Sequence, residues 1–309
     1  MSQETAMKDF IAILDDVMSL CCRWNRGAQI TLIGGDPLLH SGFESLAEIL
    51  ANTPSVRIIV AGNPETLSPR MIEWLKPRIF AFQVSVDGNE QTHDWFRYSG
   101  SYRNTINRIK EASQKGLRMH VMTTVSKENV GQLVDIMHTV YDEAGAHRWA
   151  FARYVPPVGE KLDLDPLAYR NALAKVETAH LPYLKANYDP QRKDPLWYPF
   201  RNSPPNSDDN PKHCQVDGCG IGSPTLAVLP DNTVMACRRH AGSTLGKWEK
   251  KGDILQFLIF SRTMKQLRQL ENIEGCKDCP YLYCCRGCRA IAYAVRGCLT
   301  DPDPTCPIL

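Results

Sequence analysis

The sequence predicts an α/β protein: a parallel sheet covered by helices, as an open or closed barrel short of its first strand, followed by a small cysteine-rich domain. Three observations carry this. Over residues 1–155, five short apolar runs of β character alternate with segments of helical period, and such alternation builds parallel sheets. A helix precedes the first of these strands, as if a strand had been lost from the front of the unit. From Cys214 onward the chain is short strands, turns and cysteines, with little apolar sequence to form a core.

Residues 5–22 place Phe10, Ile13, Leu14, Val17, Met18 and Cys21 at helical spacing, which predicts an amphipathic helix with one buried face. Strands are predicted at 29–33, 56–61, 79–86, 118–125 and 147–153, with helices at 43–52, 68–76, 102–115 and 129–143 between them. A bridging segment, 156–213, follows: Pro156–Pro157, a helix opened by Asp165–Pro166 and running to about Ala186, then a stretch rich in proline, asparagine and aspartate. The last domain, 214–309, carries one helical pattern near 255–271. Between Cys219 and Cys237, TLAVLPDNTVMAC predicts a β-hairpin whose turn, Pro230–Asp231–Asn232, delivers Cys237 from its second strand.

With 36 basic and 34 acidic residues the chain has a net charge of +2, so no overall field draws it to nucleic acid or an anionic membrane. No run of about 18 apolar residues is present, and the amino terminus lacks the layout of a secretion signal. The expectation is a cytoplasmic protein with no nucleic-acid or membrane partner. In that reducing compartment clustered cysteines hold metal more often than disulfides.

Eight cysteines form one ordered pattern: Cys214, Cys219, Cys237, Cys276, Cys279, Cys285, Cys288 and Cys306. Eight thiols divide into two sets of four, the ligand count of two tetrathiolate centres, iron–sulfur or zinc. The compact C-x2-C-x5-C-x2-C run at 276–288 is a strong metal signal but does not name the metal. Cys284 and Cys298 are left over; Cys284 competes with Cys285 as a ligand or is a buried bystander. Cys21 and Cys22 extend the apolar stripe of the opening helix and read as core.

Two blocks place polar residues at strand ends, where α/β folds bind ligands. The first is Gly34–Gly35–Asp36–Pro37, whose glycines admit a ligand close to the backbone; its plainer reading is a tight turn and a helix cap. The second is Phe82–Gln83–Val84–Ser85–Val86–Asp87–Gly88, followed by His93, Asp94 and Arg97. Asp87 either contacts a cofactor or closes a turn through its side chain. Arg153, ending the fifth strand, is placed either at the same barrel mouth or in a surface salt bridge.

The cysteine order resembles the SPASM domain of radical S-adenosylmethionine (SAM) enzymes, in which a cysteine pair, a hairpin cysteine, a C-x2-C-x5-C-x3-C segment and a final cysteine bind two auxiliary [4Fe–4S] clusters. By that resemblance Cys214, Cys219, Cys237 and Cys288 hold the first cluster, and Cys276, Cys279, Cys285 and Cys306 the second. The sequence departs from the pattern in the two-residue spacing of Cys285 and Cys288, and in Asn232 where glycine is usual. The shorter spacing is closer to the haem-biosynthesis members. ITLIGGDPLLH is similar to the motif that binds the methionyl amino group of SAM, with Asp36 where glutamate is commoner. The S-x-D-G…H-D…R block likewise implies that Ser85 and Arg97 contact the cofactor's carboxylate; an arginine fork matches a carboxylate. Asn63 falls near the ribose position, but as Asn–Pro instead of Asn–Gly.

The fold implied is a partial (β/α)6 radical SAM barrel, with its first strand and cluster loop missing, followed by a SPASM domain. The family's C-x3-C-x2-C loop, which holds the cluster that cleaves SAM, does not occur in this sequence. Adjacent helical cysteines such as Cys21 and Cys22 point about 100° apart and do not replace it. The expectation is a chain truncated at its front, since a missing strand leaves an unpaired edge; the other reading is a degenerate form.

Three functions follow. One is a radical SAM oxidoreductase or maturase that abstracts hydrogen from a peptide or a haem-precursor-like small molecule, with a reductant such as flavodoxin or ferredoxin. The others are a non-catalytic iron–sulfur electron-transfer partner and a zinc-stapled interaction module.

Overall fold

The computed structural model describes residues 5–185, 191–201, 219–223, 225–240, 242–306 and 308. Cys214 and most of the proline-rich end of the expected bridge lie outside the described residues. The chain opens on α1 (Met7–Arg23), then β1 (Ala28–Leu32), α2 (Phe43–Ala51), β2 (Val56–Ala61), α3 (Pro69–Leu75), β3 (Ala81–Ser85), α4 (Glu90–Phe96), α5 (Ser101–Gln114), β4 (Met119–Val125), α6 (Leu133–His138) and β5 (Arg148–Arg153). After these come α7 (Pro166–Lys185), β6 (Gln191–Arg192), α8 (Tyr198–Arg201), β7 (Ala227–Val228), β8 (Thr233–Met235), β9 (Thr244–Lys247), α9 (Asp253–Phe260), α10 (Arg262–Arg268) and α11 (Arg289–Arg296). The chain divides into two compact units, one of residues 17–151 with 181–191, the other of 1–16, 152–180 and 192–309.

In the first unit, five parallel strands curl into a half-barrel with helices around it. The sheet order is β1-β2-β3-β4-β5-β6, with Leu32 beside Val60, Ile59 beside Ala81 and Ser85 beside Met122. Ile58, Ile59 and Val60 are consecutive yet all at most 5% exposed, because a parallel sheet is covered on both faces, here by helices outside and by the barrel interior within, and each such side chain contributes about 1.5–3 kcal/mol on burial. Ser68 caps α3 by accepting the Met71 N–H at 3.2 Å, and Asp94 caps α5 through the N–H groups of Gly100 and Tyr102 at 2.6 and 2.7 Å.

Three expectations change. The helix predicted over 129–143 is a 3-10 turn (Val130–Gln132), α6 and a π turn (Thr139–Glu143). The pattern at 255–271 is two helices, since Ser261 is extended at ψ 132° and separates α9 from α10. The hairpin of β7 and β8 forms, with Asn232 in the left-handed region at φ 67°, and a third strand, β9, joins it to make a three-stranded antiparallel sheet.

The second unit contains that sheet and every described cysteine of the ordered pattern. Among its described residues Ile273, Cys276 and Leu282 pack as one apolar cluster and Cys288, Ala290 and Ile291 as another. Charged groups tie the unit as well. Asp16, 2% exposed, accepts from Trp248 Nε1, Gly252 N and Ile254 N at 3.0, 2.9 and 3.3 Å. Arg153 lies at neither place expected of it. It is fully buried, its guanidinium paired with Asp194 (2.8 and 3.1 Å) and Asp303 (2.7 and 2.8 Å) and bonded to Thr305. One cation thus joins the end of β5, the bridge and the C-terminal segment. Burial raises the Asp303 carboxyl, but Arg153 and backbone donors outweigh it and hold the group at about 2.

Candidate functional site

The C-terminal ends of the parallel strands carry the polar blocks. After β1, Gly34 and Gly35 are exposed, with no atom within 4 Å of where a Cβ would stand, so their backbone is open to a ligand. Asp36 is half-buried: Oδ1 accepts the Leu38 N–H at 3.1 Å, capping a 3-10 turn, and Oδ2 accepts the Thr66 hydroxyl at 2.6 Å. Gly62, ending β2, lies beneath it; a Cβ there would stand 2.7 Å from Asp36 Oδ1. Thr66 and Gly62 were not legible from sequence, because they act through a carboxylate some thirty residues away. Asn63 caps a second 3-10 turn, accepting the Glu65 N–H at 3.1 Å.

At the end of β3, Ser85 is half-buried and its hydroxyl has no hydrogen-bond partner among the described residues. Asp87, 5% exposed, accepts the Thr124 N–H at 2.8 Å and Arg97 Nη2 at 2.7 Å. Its carboxylate closes the turn onto β4 and at the same time aims Arg97, whose side chain is 45% exposed and whose Nε and Nη1 bond to nothing else among the described residues. Both oxygens of Asp87 are therefore used by protein. Asn129, fully buried, donates to the carbonyls of Asp87 and Thr124, each at 2.8 Å.

His93 Nδ1 accepts the Asp87 N–H at 3.1 Å, and Nε2 faces Ser101 Oγ at 3.2 Å. Burial lowers its pKa, so the neutral ring is favoured. At Gly88 a Cβ would meet Thr92 Cβ at 2.6 Å, so only glycine fits between strand end and α4. The open glycine backbone, an unpartnered hydroxyl and an arginine with unused donors suit a ligand bearing an ammonium and a carboxylate.

In the other unit, a narrow pocket is lined by Cys276, Cys279, Cys285 and Cys306 together with Arg286 and Asp303. Burial pushes the Cys276 thiol up to about 11 and the Cys285 thiol higher still. Each feels its own neighbours: Cys276 lies in electrostatic reach of Cys306 and Cys279, Cys285 of Cys306, and Cys288 of Cys219. Burial alone disfavours the thiolate, so a cationic centre is what stabilises thiolates in such a place. Among the described residues no three His, Cys, Asp or Glu side chains approach closely enough to share a single ion. Among the described residues Arg286 Nε and Arg289 Nε and Nη2 are buried donors without an acceptor, which fits a group carrying acceptor sulfur and negative charge. Cys284 is 1% exposed and Cys298 exposed.

Residues 8–140 match the family described as the Radical SAM superfamily. The chain carries a radical SAM domain. Those residues form the domain of an enzyme superfamily, and the fold of the chain is that of radical SAM/SPASM proteins. A relative named AdoMet-dependent heme synthase, from Methanosarcina barkeri, is 23% identical over 296 residues, covering 90% of this chain and 81% of the relative. Streptococcus suis SuiB bound to S-adenosylmethionine superimposes with a TM-score of 0.68 at 14% identity over 90% of this chain; this chain spans 66% of SuiB, just under two thirds. Native anSMEcpe with bound AdoMet and the Cp18Cys peptide gives a TM-score of 0.69 at 16% identity, over 91% of this chain and 81% of that one. Among the described residues no helix is long and apolar enough to cross a membrane.

Proposed function

We propose that this chain serves SAM-dependent radical oxidation of a haem-precursor-like small molecule in the cytoplasm, with two auxiliary [4Fe–4S] clusters. The observation that carries this reading is the extent of the likeness to the haem synthase: it runs over 90% of this chain and 81% of that relative. Residues Gly34, Gly35 and Asp36 receive the ammonium end of SAM, and Ser85 and Arg97 its carboxylate, with Asp87 aiming Arg97. Cys214, Cys219, Cys237 and Cys288 hold one cluster; Cys276, Cys279, Cys285 and Cys306 hold the other. The cavity lined by the latter four cysteines supports this division.

In such chemistry one electron from a reductant such as flavodoxin or ferredoxin splits SAM into methionine and a 5′-deoxyadenosyl radical, which takes a hydrogen atom from the substrate. In this reading the chain's own residues hold SAM and bind the clusters that accept the substrate's electron. Titrating the reconstituted protein with SAM by calorimetry, and with an iron porphyrin bearing propionates by absorbance, tests the reading. Saturable binding of both is expected. SAM binding without a porphyrin response, together with binding of a cysteine-containing peptide, would assign a peptide substrate instead; no SAM binding would sink the enzyme reading.

A further inference from the structure

The ligand assignment leaves two buried cations unused, Arg286 and Arg289. Arg286 stands between Cys285 and Gly287, is 6% exposed, and holds φ 49° in the left-handed region disfavoured for a residue with a side chain. Gly287 continues at φ 61°, and a Cβ on it would meet Asp303 Cβ at 2.6 Å. This tight turn directs the Arg286 side chain inward. Its Nη2 donates to the carbonyls of Cys219 and Ile221 at 3.1 and 2.5 Å, while its Nε is buried without an acceptor.

Arg286 therefore touches both cysteine sets. It lines the cavity of Cys276, Cys279, Cys285 and Cys306, and it grips the backbone of Cys219, assigned to the other set. Among the described residues no carboxylate pairs with it. Arg289, 2% exposed, gives Nη1 to the carbonyls of Leu299 and Asp301 at 2.9 and 2.7 Å, and its Nε and Nη2 are likewise without acceptors. Two buried guanidiniums with no carboxylate partner among the described residues are costly, and guanidinium does not lose its proton to escape that cost. The anion they await is a tetrathiolate iron–sulfur centre, which is net negative and offers sulfur acceptors.

We propose, resting on the two-cluster reading, that Arg286 sets the potential of the cluster on Cys276, Cys279, Cys285 and Cys306. A positive charge and an N–H beside the cluster favour its reduced, more negative state and so raise the reduction potential.

The test uses the full chain, reconstituted anaerobically. Iron and sulfide are counted in the unaltered protein first; fewer than about eight irons, or zinc in their place, fails the two-cluster reading before any variant is made. Dithionite titrations followed by electron paramagnetic resonance then compare unaltered protein, Arg286→Gln and Arg286→Lys. In Arg286→Gln the reduced-to-oxidised ratio at fixed poise is expected to fall about tenfold, about 59 mV for a one-electron couple. Arg286→Lys, which keeps the charge, restores most of it. An Arg286→Gln protein with full iron and an unchanged ratio overturns the proposal. Should that variant lose its iron, the unaltered protein labelled with 15N-arginine decides: an arginine nitrogen coupled to the reduced cluster, and uncoupled in Arg286→Lys, is expected, and absence of coupling in the unaltered protein overturns the proposal.

Discussion

Replacing Arg153 with methionine removes the cation from a fully buried network. Arg153 is fully buried, and its two carboxylate partners, Asp194 and Asp303, are 2% and 3% exposed. Each carboxylate is gripped by two guanidinium N–H groups, and the guanidinium also lies 5.2 Å from the centre of the Tyr169 ring. Removing one partner of a buried pair costs about 3–5 kcal/mol, because the other charge stays behind unpaired. Here two are left, so the loss belongs at the upper end. With a urea slope of about 3 kcal/mol per M for a chain of this size, the unfolding midpoint of the second unit falls by roughly 1–2 M. Circular dichroism in urea on reconstituted protein reads it directly. Arg153→Lys recovers less than half of the loss, because an ammonium cannot fork to two carboxylates at once. A methionine variant within a few tenths of a molar of the unaltered protein would refute this account of what joins β5 to the C-terminal segment.

Asp36→Ala is expected to weaken SAM binding by about 10- to 100-fold, the worth of one charge-assisted hydrogen bond; unchanged affinity by calorimetry removes Asp36 from the cleft. Gly62→Ala places a Cβ 2.7 Å from Asp36 Oδ1 and 3.1 Å from Phe82 Cζ, and is expected to cost about 1–3 kcal/mol as overpacking and to weaken SAM binding as well. A variant with the parent melting temperature and affinity would show that the carboxylate is not held where it stands. His93 titrates below its ordinary value because it is buried. Its contribution to stability is therefore complete above about pH 6.5 and is lost as pH falls through the lower folded value. The melting temperature should drop between pH 7 and 5, and His93→Gln should flatten that drop; an equal drop in both proteins would move the effect elsewhere.

What the sequence made legible is what local pattern decides. α2, α3 and α5 fall within a residue of the ranges their helical patterning predicts, and α7 opens with Pro166 and the Asp165 side chain accepting the Ala168 N–H at 2.7 Å. The seven residues of α4, five polar ones followed by Trp95 and Phe96, have no such period, and β9 (Thr-Leu-Gly-Lys) shows little alternation, so neither was foreseen. The site divides in the same way. Gly34, Gly35, Asp36, Ser85, Asp87 and Arg97 lie in two short blocks, and the parallel strand order brings both to the strands' C-terminal ends. The side chains that hold them, Thr66 and Asn129, carry no motif. Nor do Arg153's partners, 41 and 150 residues away in sequence, whose pairing only the folded chain reveals.

Iron, acid-labile sulfide and zinc per polypeptide, counted after anaerobic reconstitution, test the central claim most directly. Two auxiliary clusters on eight cysteines predict about eight irons with matching sulfide and negligible zinc. About two zincs and no sulfide would contradict it and leave a zinc-stapled module in place of a redox enzyme.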